Sequence, residues 1–145
     1  MTVTYGQVQS EQRGPEEETI GRDLEGVRIL CLDNEPLILE GMEQLLLTMG
    51  ATVTTAGNRE QLLAHIAGGE RPDIILADYH LDDGDTGLNA VLEVSKLNAT
   101  DTPCIIISAD DSDVIRDRAK AVGYRFLPKP VNAARLRALI LALMR

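Results

Sequence analysis

Four polar residues, each standing at the end of an apolar run, carry the chemistry open to this sequence. Asp33 follows the run 27–32, Asp78 closes 72–78, Ser108 closes 103–108, and Lys129 follows 124–127 across Pro128. Moving a phosphoryl group needs a nucleophile, a cation to neutralise developing charge, and donors fixed at the oxygens. Asp78 offers a carboxylate nucleophile, Asp33 a hard oxygen ligand, Lys129 a compact ammonium and Ser108 a hydroxyl donor. Asp is also a common turn former, so Asp78 alone distinguishes little. The set of four, one after each run, does.

The four can act together only if the runs before them lie side by side. Short apolar runs bounded by Pro, Gly and Asp read as strands buried on both faces. The run 51–56 is more polar and suits an edge. Between the strands, apolar residues recur at helical spacing. Leu37, Ile38, Met42, Leu45, Leu46 and Met49 form a stripe that Gly50 ends, with Asn34 or Glu35 ahead of Pro36 as the cap. Asn58 caps a second helix with Leu62, Leu63 and Ile66 inward, and Gly68 and Gly69 stop it. A third carries Leu88, Val91, Leu92 and Val94 through Leu97, and a fourth, capped by Asp110 or Asp111, carries Val114, Ile115, Ala119 and Val122. The last, over 132–144, buries Leu136, Leu139, Ile140 and Leu143.

Five strands alternating with five helices predict an α/β fold with a parallel sheet covered on both faces. The flavodoxin-like doubly wound order 2-1-3-4-5 fits best, and it brings Asp33, Asp78, Ser108 and Lys129 out along one edge, where such sheets place their sites. The same order sets Cys31 and Cys104 two strand spacings apart, about 9.6 Å. A disulfide needs Cα atoms within about 7 Å, so none is expected, and both cysteines read as small core residues.

The chain of 145 residues suits one domain. Residues 1–25 hold six acidic and two basic side chains and no sustained period, so they read as a flexible tail or linker carrying −4 of the net −9; 26–145 is the folded domain. The negative charge opposes a broad nucleic-acid surface, and one Phe with no Trp leaves few stacking platforms. No run approaches the roughly 18 to 20 apolar residues of a membrane span, and the first 25 residues lack a signal-peptide pattern. A cytoplasmic domain without nucleic-acid or direct membrane contact is expected.

From Val27 onward the sequence resembles a response-regulator receiver domain of two-component signalling. Asp33-Asn34, Asp78, Ser108-Ala109 and Lys129-Pro130 carry the resemblance, in that order after strands one, three, four and five. The resemblance implies that Asp78 takes a phosphoryl group from a phosphohistidine of a histidine kinase or histidine phosphotransfer protein, with Lys129 and Ser108 assisting. It implies a domain that catalyses its own phosphorylation and dephosphorylation. Mg²⁺ would be held by Asp33, Asn34, Asp78 and the main-chain carbonyl of His80, since Mg²⁺ takes few protein ligands and keeps several waters. A cis Lys129–Pro130 bond and a switch pair of Ser108 and Phe126 are implied as well.

Two departures stand out. Asn34 occupies the place where the family usually has a second acid, so the pocket loses one negative charge while keeping an amide oxygen, and weaker Mg²⁺ binding is expected. The loop Tyr79-His-Leu-Asp-Asp-Gly-Asp-Thr-Gly87 is one residue longer than the common form and lacks its proline. This acidic loop is most similar to the C-terminal receivers of hybrid sensor histidine kinases. The alternative, motivated by Asn34, is a degenerate receiver acting as a phosphorylation-independent binding module. A nucleotide-binding enzyme is disfavoured, because Asp33-Asn-Glu-Pro36 stands where a Gly-rich phosphate loop would follow strand one.

Overall fold

The structure, a computed structural model, describes residues 23–98 and 101–145. Five strands, β1 (Arg28–Leu32), β2 (Thr52–Ala56), β3 (Ile74–Asp78), β4 (Cys104–Ser108) and β5 (Arg125–Pro128), alternate with α1 (Pro36–Thr48), α2 (Arg59–Ala67), α3 (Gly87–Asn98), α4 (Asp113–Ala121) and α5 (Ala133–Met144). The strands form one parallel sheet in the order 2-1-3-4-5, as the alternation predicts. β3 and β4 are buried along their whole length, whereas β2 and β5 at the edges are only partly so. A short 3₁₀ turn, Asp82–Gly84, lies between β3 and α3 and was not expected from the sequence.

The sheet separates two cores. On one face Leu46 of α1, Met49 just past its end, and Leu136 and Ile140 of α5 pack on Ile29, Cys31, Leu76, Ile105 and Ile107. On the other, Leu62 and Ile66 of α2, Val91 and Val94 of α3, and Ile115 of α4 pack on Leu30, Ile75 and Ile106. Alternate side chains of a strand point to opposite faces, so Cys31 and Cys104 lie in different cores, and both are free thiols. Burial above all, with Glu43 and Asp33 nearby, pushes the Cys31 thiol up to about 12.

Register builds the site's geometry. Leu32 pairs with Ala77, so Asp33 stands level with Asp78, one residue beyond on each strand. Asp78 pairs with Ile107 and Ser108 with Pro128, which sets Ser108 and then Lys129 each one step further out.

Several local expectations are corrected. Asn58 caps α2 as expected, accepting from the Gln61 amide at 2.8 Å, and Asn132, read as the first residue of the last helix, is instead its cap, accepting from the Arg135 amide at 2.9 Å. α4, however, is capped by Ser112, which accepts from the Ile115 amide at 3.4 Å. Asp110 instead accepts from the Ser112 amide at 3.1 Å, and Asp111 pairs with Arg116. Neither Asn34 nor Glu35 caps α1 through its side chain; Asp33 Oδ1 accepts from the Glu35 amide at 2.9 Å. The stripe on α1 is also incomplete: Leu37 is 81% exposed and Ile38 38% exposed, so the first turn faces solvent beside the site rather than the core.

Most of the tail predicted over 1–25 lies outside the described residues, but its last residues pack into the fold. Leu24 is fully buried, and its amide donates to the Met49 carbonyl at 2.9 Å. Arg137 Nη1 of α5 reaches Asp23 at 3.1 Å. One isolated Leu has no period to announce it. No helix among the described residues is long and apolar enough to cross a membrane. Removing the Leu24 side chain leaves a cavity under α1 and α5, so Leu24→Ala is expected to lower stability by about 2 to 5 kcal/mol, read by urea denaturation. An unchanged midpoint would show that the segment is not part of the folded unit.

Candidate functional site

The two acids at the sheet edge are drawn together by one cation. Lys129 Nζ lies 3.3 Å from Asp33 Oδ2 and 3.5 Å from Asp78 Oδ1. Asp33 and Asp78 are buried, and two carboxylates so placed would repel strongly without that ammonium. The Lys129 main chain is fixed by its amide donating to the Ser108 carbonyl at 2.9 Å, and the Lys129–Pro130 bond is cis. Burial works against the Lys129 ammonium, but Asp78 and Asp33 outweigh it and raise its pKa. Asp78 shifts upward too: burial is the main cause and Asp33 adds to it, while Lys129 and the His80 amide pull the other way.

Ser108 is fully buried and its Oγ accepts from the Asp110 amide at 3.0 Å. This bond ties the hydroxyl to its own loop and leaves its proton free to be donated elsewhere. Phe126 is half-buried on β5, packed against the core under α4, with the Arg116 guanidinium 4.5 Å above its ring. Arg116 is in turn held by Asp111, which stands in the loop after Ser108.

The backbone after Asp78 is built by close approach. Gly87 opens α3 directly against β3: a Cβ there would fall 2.1 Å from the Asp78 carbonyl oxygen. Its amide donates to Tyr79 O at 2.8 Å, and Leu81 N to Asp85 O at 3.0 Å, closing the loop as a small hairpin with His80 facing Thr86. The hairpin uses the Tyr79 carbonyl and the Leu81 amide, so the His80 carbonyl is in neither bond. Arg59, at the start of α2, clamps the loop through Asp85, at 2.9 and 2.5 Å, and also pairs with Glu93 on α3. The His80 side chain points outward, with Nε2 4.0 Å from Asp110.

Asp33, Asp78 and Lys129 thus meet through their side chains, and Ser108 stands at the end of the strand between Asp78 and Lys129. Asn34 is beside them, but its amide nitrogen donates to Asp82 Oδ1 at 2.8 Å. Sequence reasoning missed Gly87 and Arg59, whose roles depend on contacts across 9 and 26 residues. The fit to a divalent cation is good: two buried carboxylates and one ammonium leave a net charge of −1, and the oxygens are hard ligands. Among the described residues no group of three or more His, Cys, Asp or Glu side chains could hold a metal, so a main-chain carbonyl and waters must complete such a shell. An apolar groove lined by Leu37, Ile38, Met42, Pro130 and Val131 opens beside Asp33, Asp78 and Lys129, with a volume of about 550 Å³.

The chain matches the response regulator receiver domain family over residues 29–141. It is 31% identical over 124 residues to the phyllosphere-induced regulator PhyR of Methylorubrum extorquens, covering 83% of this chain and 45% of that protein. Identity to the response regulator protein PilR of Pseudomonas aeruginosa is 34% over 119 residues, covering 81% of this chain and 26% of PilR. The chain spans about half the length or less of these curated relatives. The crystallised chemotaxis protein CheY4 of Vibrio cholerae superposes with a TM-score of 0.72 at 26% identity, covering 81% of this chain and 98% of that one.

The raised Asp78 carboxyl implies that its charge costs folding energy in the metal-free protein. An acid with a raised folded pKa gives up stability as pH climbs through the window between its ordinary value and the raised one, and the full cost is present above that window. Asp78→Asn should therefore melt a few degrees higher than the parent at pH 7 in the presence of a chelator. The gap should close as pH falls below the ordinary carboxylate range. Equal or lower melting of the variant at pH 7 would show that Lys129 more than offsets the cost.

Proposed function

The chain belongs to the response-regulator receiver family, and from that premise we propose that Asp78 accepts a phosphoryl group from a phosphohistidine. An Asp78 carboxylate oxygen forms a bond to phosphorus as the phosphorus–nitrogen bond to the donor imidazole breaks, leaving an acyl phosphate here and a neutral imidazole on the donor once its nitrogen takes or keeps a proton. The observation that carries this reading is the single ammonium of Lys129 reaching both buried carboxylates. Once Asp78 is esterified its own charge is gone, and Lys129 is free to pair with the phosphoryl oxygens.

Asp33, Asp78 and the His80 carbonyl are the proposed holders of Mg²⁺, with Asn34 at the margin, and the ion supplies neutralisation of charge on the transferring oxygens. Ser108 donates its hydroxyl to a phosphoryl oxygen. The donor, a histidine kinase or a histidine phosphotransfer protein, reaches Asp78 past the apolar groove at α1, where Leu37 is exposed. The acidic loop and the linker-like first residues favour the receiver of a hybrid sensor kinase in the cytoplasm. The degenerate reading draws support from Asn34 alone, whereas nucleophile, lysine and hydroxyl are all in place.

Intact-mass spectrometry after incubation with acetyl phosphate and Mg²⁺ should show the gain of one phosphoryl group. Asp78→Asn should abolish it. Equal labelling of that variant would move the phosphorylation site elsewhere, and no labelling of the parent would favour the binding-module reading.

Ser108 and Phe126 form the proposed readout. Drawing the Ser108 hydroxyl toward a phosphoryl oxygen opens space beside β5 into which the Phe126 ring can turn, and Phe has no hydroxyl to leave unsatisfied when buried. Beryllofluoride should shift the NMR resonances of Ser108, Ala109 and Phe126 together. In Ser108→Ala the Phe126 shift should disappear, and its persistence would disprove the coupling.

A further inference from the structure

We infer that Asp82 is a positioning residue for the divalent cation, supplying from the loop, through the Asn34 amide, the negative charge that position 34 lacks. This rests on the reading of Asp33 and Asp78 as a cation site. Three observations lead to it.

The first is the contact itself. Asn34 Nδ2 lies 2.8 Å from Asp82 Oδ1. An ionised carboxylate accepts only, so the amide must present its nitrogen to Asp82. That commits one end of Asn34 to the loop and leaves its oxygen as the end available for a cation or its water. The residue next to Asp33 in the chain is thereby oriented by a carboxylate 48 positions away.

The second is charge. The loop's other described acid, Asp85, is neutralised by Arg59, which holds its carboxyl below the usual range. Asp82 has no cationic partner among the described residues; its side-chain bond is to the neutral Asn34. Asp33, Asp78 and Lys129 sum to −1, and Asp82 brings the neighbourhood to −2, the balance a second acid at position 34 would give.

The third is rigidity. Asp82 opens the 3₁₀ turn, whose carbonyl accepts from the Asp85 amide at 3.2 Å, and Gly84 takes the left-handed conformation that the turn requires, with φ 75°. The Arg59 clamp fixes the far side of the same hairpin. The longer loop is thus a held arm that carries a carboxylate to Asn34. Asp82 is exposed, so solvent weakens its attraction for the cation without abolishing it, and outer residues that orient ligands are worth about 10- to 100-fold in metal affinity.

The test is Mg²⁺ titration of the full chain by calorimetry, repeated with Mn²⁺ by water-proton relaxation. Asp82→Asn keeps an oxygen that can accept from Asn34 and removes only the charge. Its dissociation constant should rise about five- to tenfold, with the metal-free melting temperature unchanged. The exchanged pair Asn34→Asp with Asp82→Asn restores one charge and one amide, and should return affinity to the parent's or better. Parent-like affinity of Asp82→Asn overturns the inference. So does an exchanged pair as weak as that variant, or a loss accompanied by lower metal-free melting, which marks a merely structural contact. Failure of the parent itself to bind either ion removes the cation site, a result separate from any change at Asp82.

Discussion

Two carboxylates at adjacent strand ends repel, and the ammonium of Lys129 is what lets them share an edge. Everything else in the fold bears on that arrangement. Parallel pairing brings Asp33 level with Asp78, and the stagger across β4 and β5 brings Lys129 over both from the outer side. The Ser108 carbonyl holds the lysine's main chain, so the hydroxyl and the ammonium are referred to the same peptide. The two carboxylates and the ammonium together carry a net charge of −1.

Backbone sterics serve the same end. Asp78 is held from outside as well as within the sheet, because Gly87 brings the first turn of α3 against its carbonyl. The part-buried ion pairs of Arg59 join α2, the loop and α3 into one block beside Asp78. On the opposite side of the site, Asp111, Arg116 and Phe126 form a chain of contacts from the loop after Ser108 to the surface of β5.

The sheet order, the central strands and the four converging residues were legible because each rests on a short-range signal: an apolar run, a polar residue at its end, a helix of the right length before the next run. What was not legible depends on contacts between distant residues or on competition between neighbours. Ser112 rather than Asp110 or Asp111 caps α4, because those two acids are taken up by the Ser112 amide and by Arg116. Leu37 and Ile38 match a helical stripe in spacing, but in the first turn of α1 they line the open groove beside the site and stay exposed. Asn34 reads locally as a lost charge. Its bond to Asp82 appears only once the chain has folded.

The close approach of Gly87 to Asp78 has a consequence for how such a domain can diversify. With the strand end fixed in the sheet and the helix start fixed against it, the segment between them is a closed span whose two anchors coincide in space. The base of the span is closed by the Gly87 amide on the Tyr79 carbonyl, a main-chain bond that does not draw on the side chains within 80–86. Exchanges that keep Asp82 and Asp85 alter only the surface a partner meets, whereas those two carboxylates tie the span back to Asn34 and Arg59.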